Sequence, residues 1–338
     1  MRKFFFILSI SFGILLIVNI GWGLISLYLL VANGIQFLLQ GMNFFESISS
    51  SIYLKWILVS DGIWLAFALT YMVQHKQYKT NPKFHYLKNQ PIENPEICFV
   101  IPAYNEDESI QSVVSDYKKQ PFVKQVIVID NHSSDKTADI AEKCGAKVLR
   151  KDTNKGYAHS YIMGLKEALK TNANIIATTE ADGTFNAYDV QKMLPYLDNC
   201  DMVIGTRLVQ VLTEKGNQIS IIHVWGNYFL AKLIQAKYFS LRHMGIIELT
   251  DVGCMLRFFR RSSLEKFIDF LTPFNSDEPI GGDAFALHLT MLGIENDLKI
   301  VEIPVTFNKR TGKSKNESEK KIKGVIYGLK FLWFILVY

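Results

Sequence analysis

From Phe4 to Phe45 the chain is one uncharged, mostly apolar run. A helix crosses the hydrocarbon of a bilayer with about 20 apolar residues, so this run holds one span, placed at about Phe5 to Leu30, with length left over. A cleaved leader has an apolar region of only about 7–15 residues, too short to account for it. A second apolar segment runs from Ile52 to Val73 and is interrupted by Lys55 and Asp61. Lys55 can snorkel from near one end, whereas Asp61 lies deeper and needs a partner or a protein-facing position. Residues 76–95 are polar, contain Pro82, Pro91 and Pro95, and read as a linker.

From residue 96 the pattern changes to short apolar runs without alternation, as expected of strands covered on both faces. They are Ile97 to Pro102, Val126 to Asp130, Ala146 to Leu149, Ile175 to Ala177 leading into Glu180, Met202 to Gly205, Cys254 to Phe259 and Ile300 to Phe307. Helical patterns fall between them: up to about Lys119, then Ser133 to Cys144, Tyr157 to Lys170, Asp189 to Leu197, Ile219 to Phe239 and Ala284 to Leu292. This alternation predicts an α/β domain with a parallel, doubly wound sheet. The stretch from Ile219 to Phe239 is amphipathic, with Ile221, Ile222, Trp225, Phe229 and Leu233 beside Lys232 and Lys237. It fits a helix lying in a membrane interface or one facing an ordinary core. From Lys320 the tail alternates basic and apolar residues and ends in a run to Tyr338 too short to span, which suits a basic amphipathic surface helix. The expected organisation is a transmembrane hairpin over residues 1–75, a linker over 76–95, the α/β domain over 96–316 and a membrane-surface tail over 317–338.

Composition narrows the setting. The 338 residues carry a net charge of +5, which admits nucleic acid or an anionic membrane face as partner. The positive charge clusters beside the apolar spans, which favours the membrane and argues against nucleic acid. Arg2 and Lys3 precede the first span and His75, Lys76, Lys79 and Lys83 follow the second, while the loop from Gly41 to Ser51 holds Glu46 and no Lys or Arg. By the positive-inside rule both ends of the hairpin, and the domain after it, are cytoplasmic. Cys98, Cys144, Cys200 and Cys254 form no Cys-x-x-Cys pair and fit a reducing compartment.

The candidate chemistry centres on Glu180-Ala181-Asp182-Gly183, where a buried strand ends by presenting two carboxylates. In an open α/β sheet that edge is where ligands bind. Two carboxylates there can hold Mg²⁺ or Mn²⁺ together with substrate phosphates. At the same edge Glu106 and Asp130 can accept hydrogen bonds from a base or ribose, with Pro102, Ala103 and Tyr104 as a wall. Arg310 and Lys315, backed by Lys309 and Lys313, form a basic, Gly-containing loop suited to phosphate. Arg207 can pair with an acid or with phosphate. Asp251 and Asp283 can orient an acceptor or act as base if the acceptor is a hydroxyl, and Asp283 also suits an N-cap.

Six segments carry a resemblance in a consistent order. Val100-Ile101-Pro102-Ala103-Tyr104-Asn105-Glu106 looks like the opening signature of family 2 glycosyltransferases with the GT-A fold, a mostly parallel doubly wound sheet. The segment from Val128 to Thr137 is similar to their second acidic motif, and Asn154-Lys155-Gly156-Tyr157-Ala158 to the Gly-containing turn before a helix. Glu180-Ala181-Asp182 stands where the family has Asp-x-Asp, and Gly205-Thr206-Arg207 matches a Gly-Ser/Thr-Arg element. Arg310-Thr311-Gly312-Lys313-Ser314-Lys315 resembles the tail motif of the dolichyl-phosphate mannose synthase group of polyprenyl-phosphate sugar transferases. The resemblance spans about residues 96–316.

It implies that Pro102, Ala103, Tyr104, Glu106, Asp130, Asn131 and Ala181 hold a nucleotide, and that Asp182 with Glu180 holds Mg²⁺ or Mn²⁺. Glu180 replaces the commoner Asp, so its reach differs. Asp182, Asp251, Asp283 and Arg310 are the implied catalytic set, and Arg207, Arg310 and Lys315 the phosphate ligands. The implied reaction moves a sugar from a UDP- or GDP-linked donor to polyprenyl phosphate in one inverting displacement. The family often carries its membrane helices after the catalytic domain, or none, whereas here they precede it. That leaves the acceptor open to a hydroxyl of a glycolipid or polysaccharide, and the Glu180 substitution admits a catalytically silent membrane scaffold of the same fold.

Overall fold

The apolar N-terminal segments form two helices, α1 over Arg2–Gln40 and α2 over Ile52–Gln74. The computed structural model describes residues 2–40, 52–75, 90–215, 217, 220–239, 248–272, 279–312 and 321–338. The loop 41–51, linker residues 76–89 and the segment 313–320, with Lys313, Ser314 and Lys315, lie outside the described residues. Within the two helices, Lys3–Ile25 and Lys55–Gln74 are long and apolar enough to cross a bilayer. Large apolar side chains such as Ile17, Leu58 and Val73 stand fully out from the pair, and exposed apolar surface of that extent is unusual for a protein in water. The helices run antiparallel, with Phe5 against Tyr71 at 5.1 Å and Phe12 against Trp64 at 4.8 Å between ring centroids. Asp61 has the partner its depth demands, because Asn19 Nδ2 donates to its two carboxylate oxygens at 3.2 and 3.1 Å. The hairpin and the sheet-bearing part, residues 78–335, are separate compact units.

The sheet-bearing unit holds seven strands: β1 (Ile97–Ala103), β2 (Val123–Asp130), β3 (Lys147–Arg150), β4 (Ile175–Thr178), β5 (Met202–Thr206), β6 (Arg257–Arg260) and β7 (Ile300–Pro304). Their order is β3-β2-β1-β4-β6-β5-β7. All neighbours are parallel except β6, which runs antiparallel to both β4 and β5. The sheet is therefore mostly parallel. Strands β4 and β5 are buried along their whole length and β1 at all but one position, as their apolar composition requires. β6 starts later than Cys254, because the Cys254 carbonyl is occupied by Arg257 Nε at 2.9 Å.

The described helices of this unit include α3 (Ile110–Lys118), α4 (Thr137–Lys143), α5 (Gly156–Ala168), α6 (Asp189–Met193), α7 (Ile221–Lys237), α8 (Phe285–Glu295) and α9 (Lys321–Val337). Helix α6 ends where Pro195 turns the chain into a 3-10 segment, Leu194–Asp198. Strand β1 has β2 on one side and β4 on the other, so the chain leaves the sheet in opposite directions from its C-terminal end. That is the point where open α/β sheets form a ligand crevice.

Helix α5 lies so close to the sheet that a Cβ on Gly164 would stand 2.3 Å from Val100 Cγ1 and 3.0 Å from Ile129 Cγ1. Gly164→Ala is therefore expected to destabilise this unit by about 1–3 kcal/mol through overpacking, measured as a lowered unfolding midpoint of the full chain.

Candidate active site

A cleft of about 640 Å³ opens at the C-terminal ends of β1 and β4. Pro102, Ala103, Tyr104 and Glu106 line it from the end of β1, Asn131 from β2, and Glu180, Ala181 and Asp182 from the turn after β4. Parallel pairing that sets Val100 beside Thr178 brings these strand ends together. Gly183 follows at φ +77°, a left-handed turn that an L side chain rarely adopts, and it sends the chain back from the cleft directly after Asp182.

Asp182 is held by its own turn on one side and by an arginine on the other. Its Oδ1 accepts from the Thr184 backbone N–H at 3.1 Å and from the Thr184 hydroxyl at 2.6 Å. Its Oδ2 faces Arg310 Nη1 at 3.3 Å. Arg310 Nη2 donates to Glu106 Oε1 at 2.6 Å, so one guanidinium bridges two acids from neighbouring strand ends. The loop carrying Arg310 is tied to the same turn, since the Thr311 N–H donates to the Asp182 carbonyl at 3.0 Å.

Glu180 shares the wall with Asp182. Burial, and then the Asp182 carboxylate, push its pKa up to about 7, although Arg207 and Arg310 pull the other way. No group of three or more His, Cys, Asp or Glu forms a cage among the described residues. The donor set fits a divalent cation that takes its remaining ligands from a bound diphosphate and water. The raised pKa has a sign that can be tested. A group whose folded pKa exceeds its unfolded value favours the folded state below the unfolded pKa and loses that contribution as pH rises through the folded one. Without divalent cation, Glu180→Gln is expected to have a higher Tm than the parent above pH 7, the difference closing towards pH 5. Melting both proteins across that range checks it.

Arg207 reaches the cleft from the end of β5, and Asp251 stands behind it. The Asp251 carboxylate accepts from Arg207 Nε at 2.7 Å, Arg207 Nη2 at 2.8 Å, the Arg207 N–H at 3.1 Å and the Gly253 N–H at 3.2 Å. Burial alone would raise its pKa, but the guanidinium outweighs it and holds the acid below the usual carboxylate range. Asp251 is fully buried and does not line the cleft. With four donors on it, it is the partner of Arg207 and has no free oxygen to take a substrate proton.

Asp283 does line the cleft. Its carboxylate pairs with Lys330 at 3.2 Å, and no side-chain cap bond forms at its turn. Asp130 is buried at the end of β2 outside the cleft lining; its Oδ2 accepts from the Ser133 N–H at 3.3 Å and its Oδ1 has no partner. Asn131 is engaged with Asn154 and Lys151 at 2.6 and 2.5 Å. Lys315 lies outside the described residues.

The opposite wall was not foreseen. Helix α7 contributes His223, Gly226, Asn227 and Leu230, and α9 contributes Gly324, Tyr327, Gly328 and Phe331. Each helix also turns large apolar side chains outward: Ile221, Trp225 and Phe229 on α7, and Val325, Leu329 and Trp333 on α9. The buried Lys237 at the end of α7 donates to the Ile335 carbonyl at 2.6 Å and ties the two together. The spacing of those apolar residues was the available signal; which face met the sheet was not readable from it.

The chain is similar to an uncharacterized protein of Methanocaldococcus jannaschii, 32% identical over 216 residues that cover 63% of this chain and 82% of the relative. It is 27% identical to a polyprenol monophosphomannose synthase of Mycolicibacterium smegmatis over 62% of this chain and 77% of that one. It is 28% identical to an undecaprenyl-phosphate mannosyltransferase of Micrococcus luteus over 69% of this chain and 89% of that one. Among solved structures it shares its fold with glucosyl-3-phosphoglycerate synthase from Mycobacterium tuberculosis in complex with Mn²⁺, UDP-glucose and phosphoglyceric acid. The TM-score is 0.50 at 17% identity, over 78% of this chain and 87% of that one. The family model for glycosyl transferase family 2 matches residues 98–268, half of the chain. This protein belongs to glycosyl transferase family 2.

Proposed function

We propose that the protein is a membrane-anchored glycosyltransferase that moves a sugar from a UDP- or GDP-linked donor to polyprenyl phosphate at the cytoplasmic face. The observation that carries the reading is the cleft itself. One wall is a carboxylate-bearing strand edge, and the other is a pair of helices with apolar outer faces. Such a place lets a soluble nucleotide and a lipid meet. Two relatives named for polyprenyl-phosphate mannosyl transfer support the choice of acceptor. The apolar hairpin, with its basic flanks, supplies the anchor and the orientation.

In this reading Pro102, Ala103, Tyr104 and Ala181 form the nucleotide wall, with Glu106 and Asn131 facing base and ribose, while Asp130 supports the turn behind them. Glu180 and Asp182 hold Mg²⁺ or Mn²⁺, which when bound supplies Lewis-acid stabilisation of the departing diphosphate. Arg310 leaves Asp182 and, with Arg207 and Lys315, holds phosphate oxygens. A phosphate monoester has its second pKa near about 6 and is already largely an anionic nucleophile at neutral pH. Its oxygen forms the bond to the anomeric carbon as the bond to the diphosphate breaks on the opposite face, which inverts the centre. No base is required, which agrees with Asp251 being committed to Arg207.

A second reading rests on Asp283, which lines the cleft with a single cation on its carboxylate. If the acceptor were a hydroxyl, Asp283 would be the base. Membranes incubated with radiolabelled nucleotide sugars separate the two. Label in a lipid released by mild acid supports the phosphate acceptor; label stable to mild acid supports the hydroxyl.

A further inference from the structure

Glu302 does not line the cleft, yet it anchors the loop behind it. It stands on β7 opposite Ile204 of β5. Its Oε2 accepts from the Thr250 N–H at 2.7 Å and the Thr250 hydroxyl at 2.8 Å, and its Oε1 accepts from the Asp251 N–H at 3.1 Å. With the Thr250 proton committed to Glu302, the Thr206 hydroxyl donates to Thr250 Oγ1 at 2.8 Å, one residue before Arg207. One carboxylate therefore holds the backbone and hydroxyl of Thr250 and the backbone N–H of Asp251, the residue whose own carboxylate grips Arg207. The site is tight. A Cβ on Gly253 would lie 3.0 Å from Arg207 Nη2, so the approach of the guanidinium to this loop depends on a glycine here.

An acid inside a strand of Ile, Val and Pro is costly to bury, and burial pushes the Glu302 pKa up to about 7 despite its three donors. The charged groups acting on it are Asp251, with Arg207 beyond, and the buried Arg257. We propose that Glu302 is a positioning residue: by clamping the Thr250–Asp251 backbone it sets the Asp251–Arg207 fork, and so the place of the guanidinium that receives phosphate in the cleft. The inference rests on the reading of Arg207 as a phosphate ligand.

The test compares the full-length parent, Glu302→Gln, Arg207→Ala and the double variant. A carboxamide keeps the size of Glu302 but turns a donor towards the donors it must accept. Backbone hydrogen exchange at Thr250 to Gly253 reads the clamp, and calorimetry with UDP or GDP plus Mn²⁺ reads the phosphate site. Expected are faster exchange in Glu302→Gln and affinity weakened by about tenfold to a hundredfold, the range for residues that orient a functional ligand. In the Arg207→Ala background the same change should cost less than about twofold, because an effect routed through one side chain vanishes with it. Thr250→Val removes one of the three bonds and should move both readouts the same way by less. Unchanged exchange and affinity in folded Glu302→Gln overturns the proposal, as does an equal cost with and without Arg207. A parent that binds neither diphosphate removes the proposed function and the route through Arg207, and the exchange data alone then decide the clamp.

Discussion

Asp182→Asn is expected to lower the rate of sugar transfer by about a thousandfold, roughly 4 kcal/mol of transition-state stabilisation at 1.36 kcal/mol per decade. The geometry explains why so small a change has so large an effect. One oxygen of Asp182 is held by the Thr184 N–H and hydroxyl, and only the other faces the cleft. An amide in that place either turns an NH₂ towards the cation or gives up the Thr184 bonds that aim the group. Asn matches Asp in size, so Tm should stay close to the parent while Mn²⁺ binding in the presence of nucleoside diphosphate disappears. Initial rates and metal titration on the same preparation check both halves.

Arg310→Ala is expected to move two measurements in opposite directions. In the free protein the guanidinium pairs with Asp182 and Glu106, acting as a built-in cation in the site. Its Nε is buried without a partner, so the resting arrangement leaves one donor unused. Removing it should strengthen binding of Mn²⁺ alone, since Asp182 is then free. Transfer should still fall by about 10²- to 10³-fold, the usual cost of deleting one donor that meets developing charge. Arg310→Lys should recover little, because a point charge cannot bridge two acids or two phosphate oxygens as a planar fork does. Weaker Mn²⁺ binding in Arg310→Ala would instead make the arginine a support for the metal site.

The parts of the fold that rest on local composition were legible in the sequence. The runs ending at Pro102, Asp130 and Gly205 announced buried parallel strands, and the observed strands extend them by only a few residues. The Glu180–Asp182 pair was visible because an apolar strand runs straight into it. What the sequence hid were pairings between distant segments. Asp251 looked like a free acid, and only the loop conformation reveals the four donors around it. Asp61 was recognised as needing a partner, but nothing local pointed to Asn19. The sequence left α7 between a membrane interface and an ordinary core and placed α9 at a membrane surface, yet each lines the cleft with small or aromatic residues such as Gly226 and Tyr327. Periodicity identifies an apolar stripe but not what covers the opposite one. Nothing local shows what Glu302 holds, although a lone acid between Val301 and Ile303 is itself a signal.

The account depends on Asp182 and Glu180 joining a nucleoside diphosphate to the protein through a divalent cation. Thermal unfolding of the full chain with UDP or GDP, with and without Mn²⁺, tests that directly. A ligand at a hundred times its Kd adds about 2.7 kcal/mol, so one of the two nucleotides should raise Tm clearly when Mn²⁺ is present, with little effect when it is absent or when Asp182 is Asn. Equal stabilisation with and without the cation, or none from either nucleotide, would contradict it.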